Sequence, residues 1–350
     1  MRRAVPVRVA ALVALAALAS ACGGGTRPQP QAQRDRGPLR IGFLLDNIHE
    51  RWEKDRELFV ARAGELGAEV LVRAAEGDHA RQVALAGELL DQGIKALVLV
   101  PHDQEKAAEI VERAKAKGVP VVCYDRLVRN ADVDLYVSFD AEKIGAMQAN
   151  YLLTQAPKGA YVLIGGAPTD YNAKLIRDGQ MRVLEPAVKK GDIRIVADPW
   201  AENWDAEAAR KLTEEALERA RGRVTAVLAS NDVTAGGAIA ALEARGLAGK
   251  VLVSGQDAEL DAVRRILAGT QTMTVYKPVR SLANLAARNA IRLAEGEPVE
   301  TAATIDNGKK PVPAMLLEPI PVDKGNLDYT VIADGFQKRE DVYRGAPSGT

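Results

Sequence analysis

Asp, Arg, Asn and Trp side chains recur in this chain at matching places, each just past a short apolar run. Asp46 and Asn47 follow residues 39–45, with Glu50, Arg51 and Trp52 close behind. Asp125 and Arg126 follow 119–124, and Asp140 follows 135–139. Past 161–164 come Gly165 and Gly166, then Asp170, Asn172 and Arg177. Past 193–197 come Trp200, Asn203 and Trp204. Asn231 with Asp232, Gln256 with Asp257, and Lys277 close three further runs. Ionised Asp accepts hydrogen bonds, Arg and Lys donate them, and Asn does both. A ring of such groups satisfies a polyol, whose hydroxyls each donate one bond and accept two. A bond to a charged partner contributes about 1.5–3 kcal/mol. Trp adds a flat apolar face suited to the C–H side of a pyranose. Aromatic residues are only 4% of the chain, so finding all three Trp in these segments carries information.

Each of these residues also has a local reading. Asn231 would cap a helix, Asp125 and Arg126 would pair at the surface, and Trp52 would sit in a core. Gly165 and Gly166 would cradle a phosphate at a helix N-terminus, although no Lys-Ser or Lys-Thr pair follows them. Their shared position favours one binding site over separate local roles. The usual parts of a catalytic centre are missing from the sequence. His49, His79 and His102 are scattered, without metal-ligand spacing. No Gly-x-Ser-x-Gly elbow occurs. Cys123 lies in an apolar run and reads as a buried small hydrophobe. Carboxylates paired across a cleft, as in glycosidases, are the remaining enzymatic alternative. The residues predict a binder with no catalytic residue, cofactor or metal. Lys plus Arg and Asp plus Glu both number 47, so no basic excess points to nucleic acid.

These side chains need elements to hold them. From residue 39 on, apolar runs alternate with amphipathic stretches at helical spacing. Strands are predicted at 39–45, 70–74, 96–100, 119–124 and 135–139, then at 161–164, 193–197, 224–229, 251–254 and 272–276. Such alternation predicts an α/β fold with parallel sheets covered on both faces. Ten strands exceed one small domain, and a split near Asp140 gives two doubly wound lobes facing across a cleft. Ligands of open parallel sheets bind beyond the C-terminal strand ends, where the polar residues fall. From about 301 the chain turns Pro-rich (Pro311, Pro313, Pro319, Pro321), with little helical pattern.

The first 22 residues read differently. Arg2 and Arg3 precede an apolar run at 9–18 that ends in Ala19-Ser20-Ala21 before Cys22. This predicts a signal peptide over 1–22. Small residues ending at Cys22 resemble a lipobox, with Cys22 as the lipid-attachment residue and an extracytoplasmic, membrane-anchored product. Residues 23–38, rich in Gly, Pro, Gln and Arg, read as a flexible tether.

Seven segments carry a family resemblance: ERWEKDR (50–56), YDRL (124–127), SFDAEKIG (138–145), NAKLIRDGQM (172–181), ASNDVTAGGAIAAL (229–242), SGQDAEL (254–260) and AGTQTMTVYKP (268–278). Over about 39–337 the chain resembles the periplasmic sugar-binding proteins of bacterial ABC importers, of the ribose- and galactose-binding type, and most closely the xylose-binding members. The resemblance implies the type I fold, two lobes joined by a three-strand hinge near Asp140, near 277–280 and near 304–306. The first lobe would comprise 39–140 plus 280–304, and the second 141–279 plus 305–340. It implies a monosaccharide ligand, D-xylose first, held by Arg51, Asp125 and Arg126 from one lobe and by Asn172, Arg177, Asn231, Asp257 and Lys277 from the other, with Trp204 stacked on the ring. It also implies a monomer that closes on its ligand and docks on an ABC permease. A receptor presenting bound sugar to a chemoreceptor or sensor kinase is the alternative. Two stretches depart from the family pattern: the loop 46–49 is about one residue shorter, and 169–171 differs beside the site.

Overall fold

The computed structural model describes residues 38–48 and 50–344. The expected signal, the tether up to residue 37, Cys22 and His49 lie outside the described residues. The first half runs β1 (Leu39–Leu45), α1 (Glu50–Glu65), β2 (Ala68–Ala74), α2 (His79–Asp91), β3 (Ala96–Leu99), α3 (Ala108–Ala116), β4 (Val121–Tyr124) and β5 (Leu135–Phe139). The second continues with α4 (Ala141–Gln155), β6 (Gly159–Ile164), α5 (Tyr171–Lys189), β7 (Ile193–Ala197), α6 (Ala206–Arg219), β8 (Ala226–Ala229), α7 (Asp232–Glu243), β9 (Leu252–Val253), α8 (Leu260–Ala268) and β10 (Thr274–Tyr276). α9 (Val279–Ala294), β11 (Ala303–Asp306), β12 (Pro311–Leu317), β13 (Ile320–Val322) and α10 (Arg339–Val342) complete the chain.

Two sheets organise these elements, giving a two-lobed, doubly wound α/β fold. A seven-stranded sheet has the order β11-β12-β5-β4-β3-β1-β2, and a four-stranded sheet the order β7-β6-β8-β9. All neighbours are parallel except β11 with β12. β10 pairs antiparallel with β13 and touches the second sheet through a bridge between Gln256 and Val275. Alternate residues of each strand serve opposite faces. Ile41, Phe43 and Leu45 pack with residues of α1 and α9, whereas Leu44 packs with residues of α2 and α3. That double burial is why the strands read as unbroken apolar runs.

Between α4 and α5 the packing is close enough to exclude side chains. A Cβ on Gly145 would lie 1.8 Å from the Ile176 carbonyl oxygen, and one on Gly179 would lie 2.0 Å from that of Glu142.

The chain passes between sheets at Asp140, at Lys277–Pro278 and at Glu318–Pro319. The third crossing corrects the expected one at 304–306. β11 and β12 belong to the first sheet, where Ala314 pairs with Tyr136, so residues 305–317 do not join the second lobe. The prolines hid this strand, because proline supplies no ladder donor. Pro311 and Pro313 sit opposite β11, and pairing with β5 starts only at Ala314. No helix among the described residues is long and apolar enough to cross a membrane.

Candidate functional site

A cavity of about 740 Å³ opens where the strand tips of the two sheets face each other. The first sheet contributes Asp46 and Asn47 past β1, Arg51 and Trp52 from α1, His102 past β3, Asp125 and Arg126 past β4, and Ser138 and Phe139 at β5. From the second come Thr169, Asp170 and Asn172 past β6, Asn203 and Trp204 past β7, Asn231 past β8, Gln256 and Asp257 past β9, and Lys277 past β10. Of the nine contacts expected from sequence, Arg51, Asp125, Arg126, Asn172, Trp204, Asn231, Asp257 and Lys277 line this cavity.

Arg177 is the correction. It is not among the lining residues. Its guanidinium lies 5.1 Å from the centre of the Trp200 ring and pairs with Asp198. Burial lowers its pKa to about 10. The reason is helical: α5 begins at Tyr171, so Arg177 sits more than one turn past Asn172 and points elsewhere.

The local readings and the site readings prove compatible. Asp170 accepts from the Asn172 amide at 2.9 Å and caps α5. Asn231 caps α7, accepting from the Thr234 amide at 2.9 Å. Capping fixes where each side chain stands, and both still line the cavity. Trp52 is core and lining at once, with Arg51 4.4 Å and Arg126 5.6 Å from its ring centre. Gly165 and Gly166 hold aromatic rings rather than a phosphate. A Cβ on Gly166 would fall 2.2 Å from the Trp204 ring, and one on Gly165 would fall 2.6 Å from Trp200.

Two charge clusters bridge the lobes. In the first, Arg51 pairs with Asp125 and lies 3.7 Å from Asp257, while Lys277 lies 2.9 Å from Asp257 and 3.7 Å from Asp125. Burial pushes the Asp125 pKa up, but Arg51 and then Lys277 outweigh it and hold the carboxyl well below its usual range. Behind them Asp55, 3.4 Å from Arg51 and bonded by the Tyr124 hydroxyl, is raised to about 6 by its burial despite both partners. In the second cluster Arg126 reaches Asp46 at 2.9 Å and Asp170 at 2.8 Å. His102 Nδ1 sits 2.8 Å from Asp46, and that bond raises the histidine's pKa.

Backbone strain collects here. Asp125, Asn203, Trp204, Asp257 and Ala258 have φ of 64°, 54°, 59°, 102° and 55°. Such conformations cost of order 1–3 kcal/mol each and persist where surroundings enforce them. At Asp125 the enforcement is visible. Its carbonyl accepts from Tyr136 at 3.0 Å, Ser138 at 2.7 Å and, from the other lobe, Asn172 at 2.9 Å.

Sequence reasoning passed over His102, which follows β3 as the other site residues follow their strands. Asp46, Trp52, Asp170, Asn203 and Gln256 stood at marked tips but were not among the nine. Among the described residues no group of His, Cys, Asp and Glu could hold a metal ion. Cys123 is fully buried, and burial pushes its thiol to about 12. What the cavity offers is hydrogen-bond donors, acceptors and an indole face.

Comparison with known proteins agrees with this geometry. Residues 41–298 match the family described as periplasmic binding protein domain. A D-xylose-binding periplasmic protein of Haemophilus influenzae is 49% identical over 306 residues, covering 87% of this chain and 92% of the relative. The D-xylose-binding periplasmic protein of Escherichia coli is 47% identical over 305 residues, covering 87% and 92%. A carbohydrate transporter solute-binding protein from Chloroflexus aurantiacus, solved in complex with D-glucose, superposes with a TM-score of 0.82 at 33% identity, over 86% of this chain and 97% of that one. Fold, cleft and relatives converge: the chain belongs to the periplasmic binding protein family.

Proposed function

We propose that this chain captures a monosaccharide, D-xylose foremost, in the inter-lobe cleft, leaves it chemically unchanged, and delivers it to an ABC importer. One observation carries the reading: Arg51, Asp125 and Arg126 from the first sheet meet Asn172, Asn231, Asp257 and Lys277 from the second, beside Trp204. A small polyol placed among them would touch both lobes and so favour the closed arrangement. Each cation already faces a carboxylate: Arg51 faces Asp125, Arg126 faces Asp46 and Asp170, and Lys277 faces Asp257. An anionic ligand would have no uncompensated cation to meet, which favours a neutral sugar over a sugar phosphate. The naming of two relatives for D-xylose supports the pentose. Residual hexose binding is expected, because one hydroxymethyl group is worth about 1–3 kcal/mol in a fitted pocket.

The protein acts outside the cytoplasm, as a monomer anchored through a lipid on Cys22. A fatty-acid probe fed to the producing cells should label the wild type and not Cys22→Ala, and an unlabelled wild type would rule out the anchor. A thermal-shift panel of pentoses and hexoses, followed by calorimetry, tests the ligand. A sugar at one hundred times its Kd stabilises the native state by about 2.7 kcal/mol. D-xylose should raise the melting temperature most. If no pentose or hexose moves it at millimolar concentration, the reading is overturned.

A further inference from the structure

A buried chain of amide side chains runs from α5 through α4 to the two strand tips that carry Asn231 and Asp257. Gln148 on α4 is fully buried and lies outside the cavity lining. Its Nε2 donates to the Ser230 carbonyl at 3.1 Å and to the Gly255 carbonyl at 2.9 Å. Gln180 on α5, also fully buried, donates from Nε2 to Gln148 Oε1 at 2.8 Å. Arg177 Nε in turn donates to Gln180 Oε1 at 3.0 Å.

The chain can point only one way. Carbonyl oxygens accept and never donate, so Gln148 must turn its NH2 toward Ser230 and Gly255. Its oxygen then faces Gln180, which must present its own NH2. The Gln180 oxygen is left for Arg177, a side chain that only donates. Obligate acceptors at one end and an obligate donor at the other fix both amides. The glycine-lined crossing of α4 and α5 brings them within reach, since Gly145 lies three residues before Gln148 and Gly179 directly precedes Gln180.

We propose that Gln148 is a positioning residue for ligand capture, clamping the ends of β8 and β9 together so that Asn231 and Asp257 converge on the same ligand. Ser230 directly precedes Asn231, and Gly255 stands two residues before Asp257. Asp257 has the most to lose, because its φ of 102° must be imposed by its neighbours. Arg177, expected from sequence to touch the ligand, acts at the far end of this chain instead. The inference rests on the sugar-binding reading of the cavity.

A double-mutant cycle tests it. D-xylose affinity is measured by calorimetry for the wild type, Gln148→Met, Asn231→Ala, Asp46→Asn and the two double variants containing Gln148→Met, with unfolding followed on each. Gln148→Met keeps the length and removes the donors. It should weaken binding about tenfold or more. Combined with Asn231→Ala the losses should fall short of their product, because both act at the same contact. Combined with Asp46→Asn, on the other lobe, they should multiply. A merely structural glutamine would lower the melting temperature and leave the affinity of the folded protein unchanged. Affinity within twofold of wild type in Gln148→Met, or full multiplication with Asn231→Ala, overturns the proposal. If Gln148→Met does not fold, Gln180→Glu replaces it under the same criteria, since an acceptor at that place reverses the Gln148 amide. If Asn231→Ala and Asp46→Asn both bind as the wild type does, it is the sugar site itself that falls.

Discussion

The charged residues that line the cavity stand in opposed pairs, so removing one member leaves the other uncompensated. Asp257 is shared by Lys277 at 2.9 Å and Arg51 at 3.7 Å, and all three are buried. Asp257 also lines the cavity, where its carboxylate can accept from a sugar hydroxyl, and a hydrogen bond to a charged group contributes about 1.5–3 kcal/mol. Asp257→Ala should therefore weaken D-xylose binding by that amount in calorimetry while the fold persists. Trp204 acts by shape. Its half-buried ring rests over Gly166, and its Nε1 is buried without a hydrogen-bond partner. Trp204→Ala should cost about 2 kcal/mol or more, as central aromatic contacts do. Gly166→Ala, at a position outside the cavity lining, should also weaken binding by pushing the indole aside. Wild-type affinity in Trp204→Ala or in Asp257→Ala would remove these side chains from the site.

Among the elements, the α4–α5 crossing is the most exacting. Gly145→Ala would drive a methyl against the Ile176 carbonyl, and overpacking of this kind typically costs about 1–3 kcal/mol. Gly64, inside α1, has nothing within 4 Å of the place a methyl would occupy, so Gly64→Ala should stabilise by about 0.5–1 kcal/mol. Denaturant unfolding of the two variants should shift in opposite directions; a common direction would refute the packing argument. The same contrast shows what a sequence can disclose. The strand tips were legible because doubly buried strands are apolar and end abruptly in polar residues. Arg177 was misplaced because helix phase, not nearness to a tip, decides where a side chain points. His102 was passed over because a lone histidine carries no spacing signal, and its partner Asp46 is 56 residues away. β12 was missed because its prolines argue against a strand until one knows which edge they occupy. The buried run from Arg177 to Gln148 leaves no sequence pattern, since its partners lie on two helices and two strand ends.

At the scale of the whole molecule, buried acids set how stability follows pH. Burial raises Asp55 to about 6, and burial followed by the nearby charge of Asp257 raises Asp232 to about 7. An unfolded Asp titrates near 3.9. Between pH 4 and 7 the native state therefore keeps protons that the unfolded chain has released. Stability falls with rising pH wherever the native state binds more protons, so the contribution of both acids is fully present below pH 4 and lost as pH passes through 6 and 7. Asp125 and Asp46, held below the usual range, act oppositely. Their contribution is present above pH 4 and is lost as pH falls through their lowered values. The two trends together place the most stable condition at mildly acidic pH. The ligand-free protein should melt several degrees higher at pH 5 than at pH 8, and lower again below pH 4. Asp232 accepts from Gln271 at 2.8 Å and from Thr274 at 2.9 Å, and an asparagine there keeps an acceptor but cannot titrate. Asp232→Asn should flatten the slope between pH 5 and 8, as read by calorimetry across that range, and an unaltered slope would assign the pH dependence to other groups.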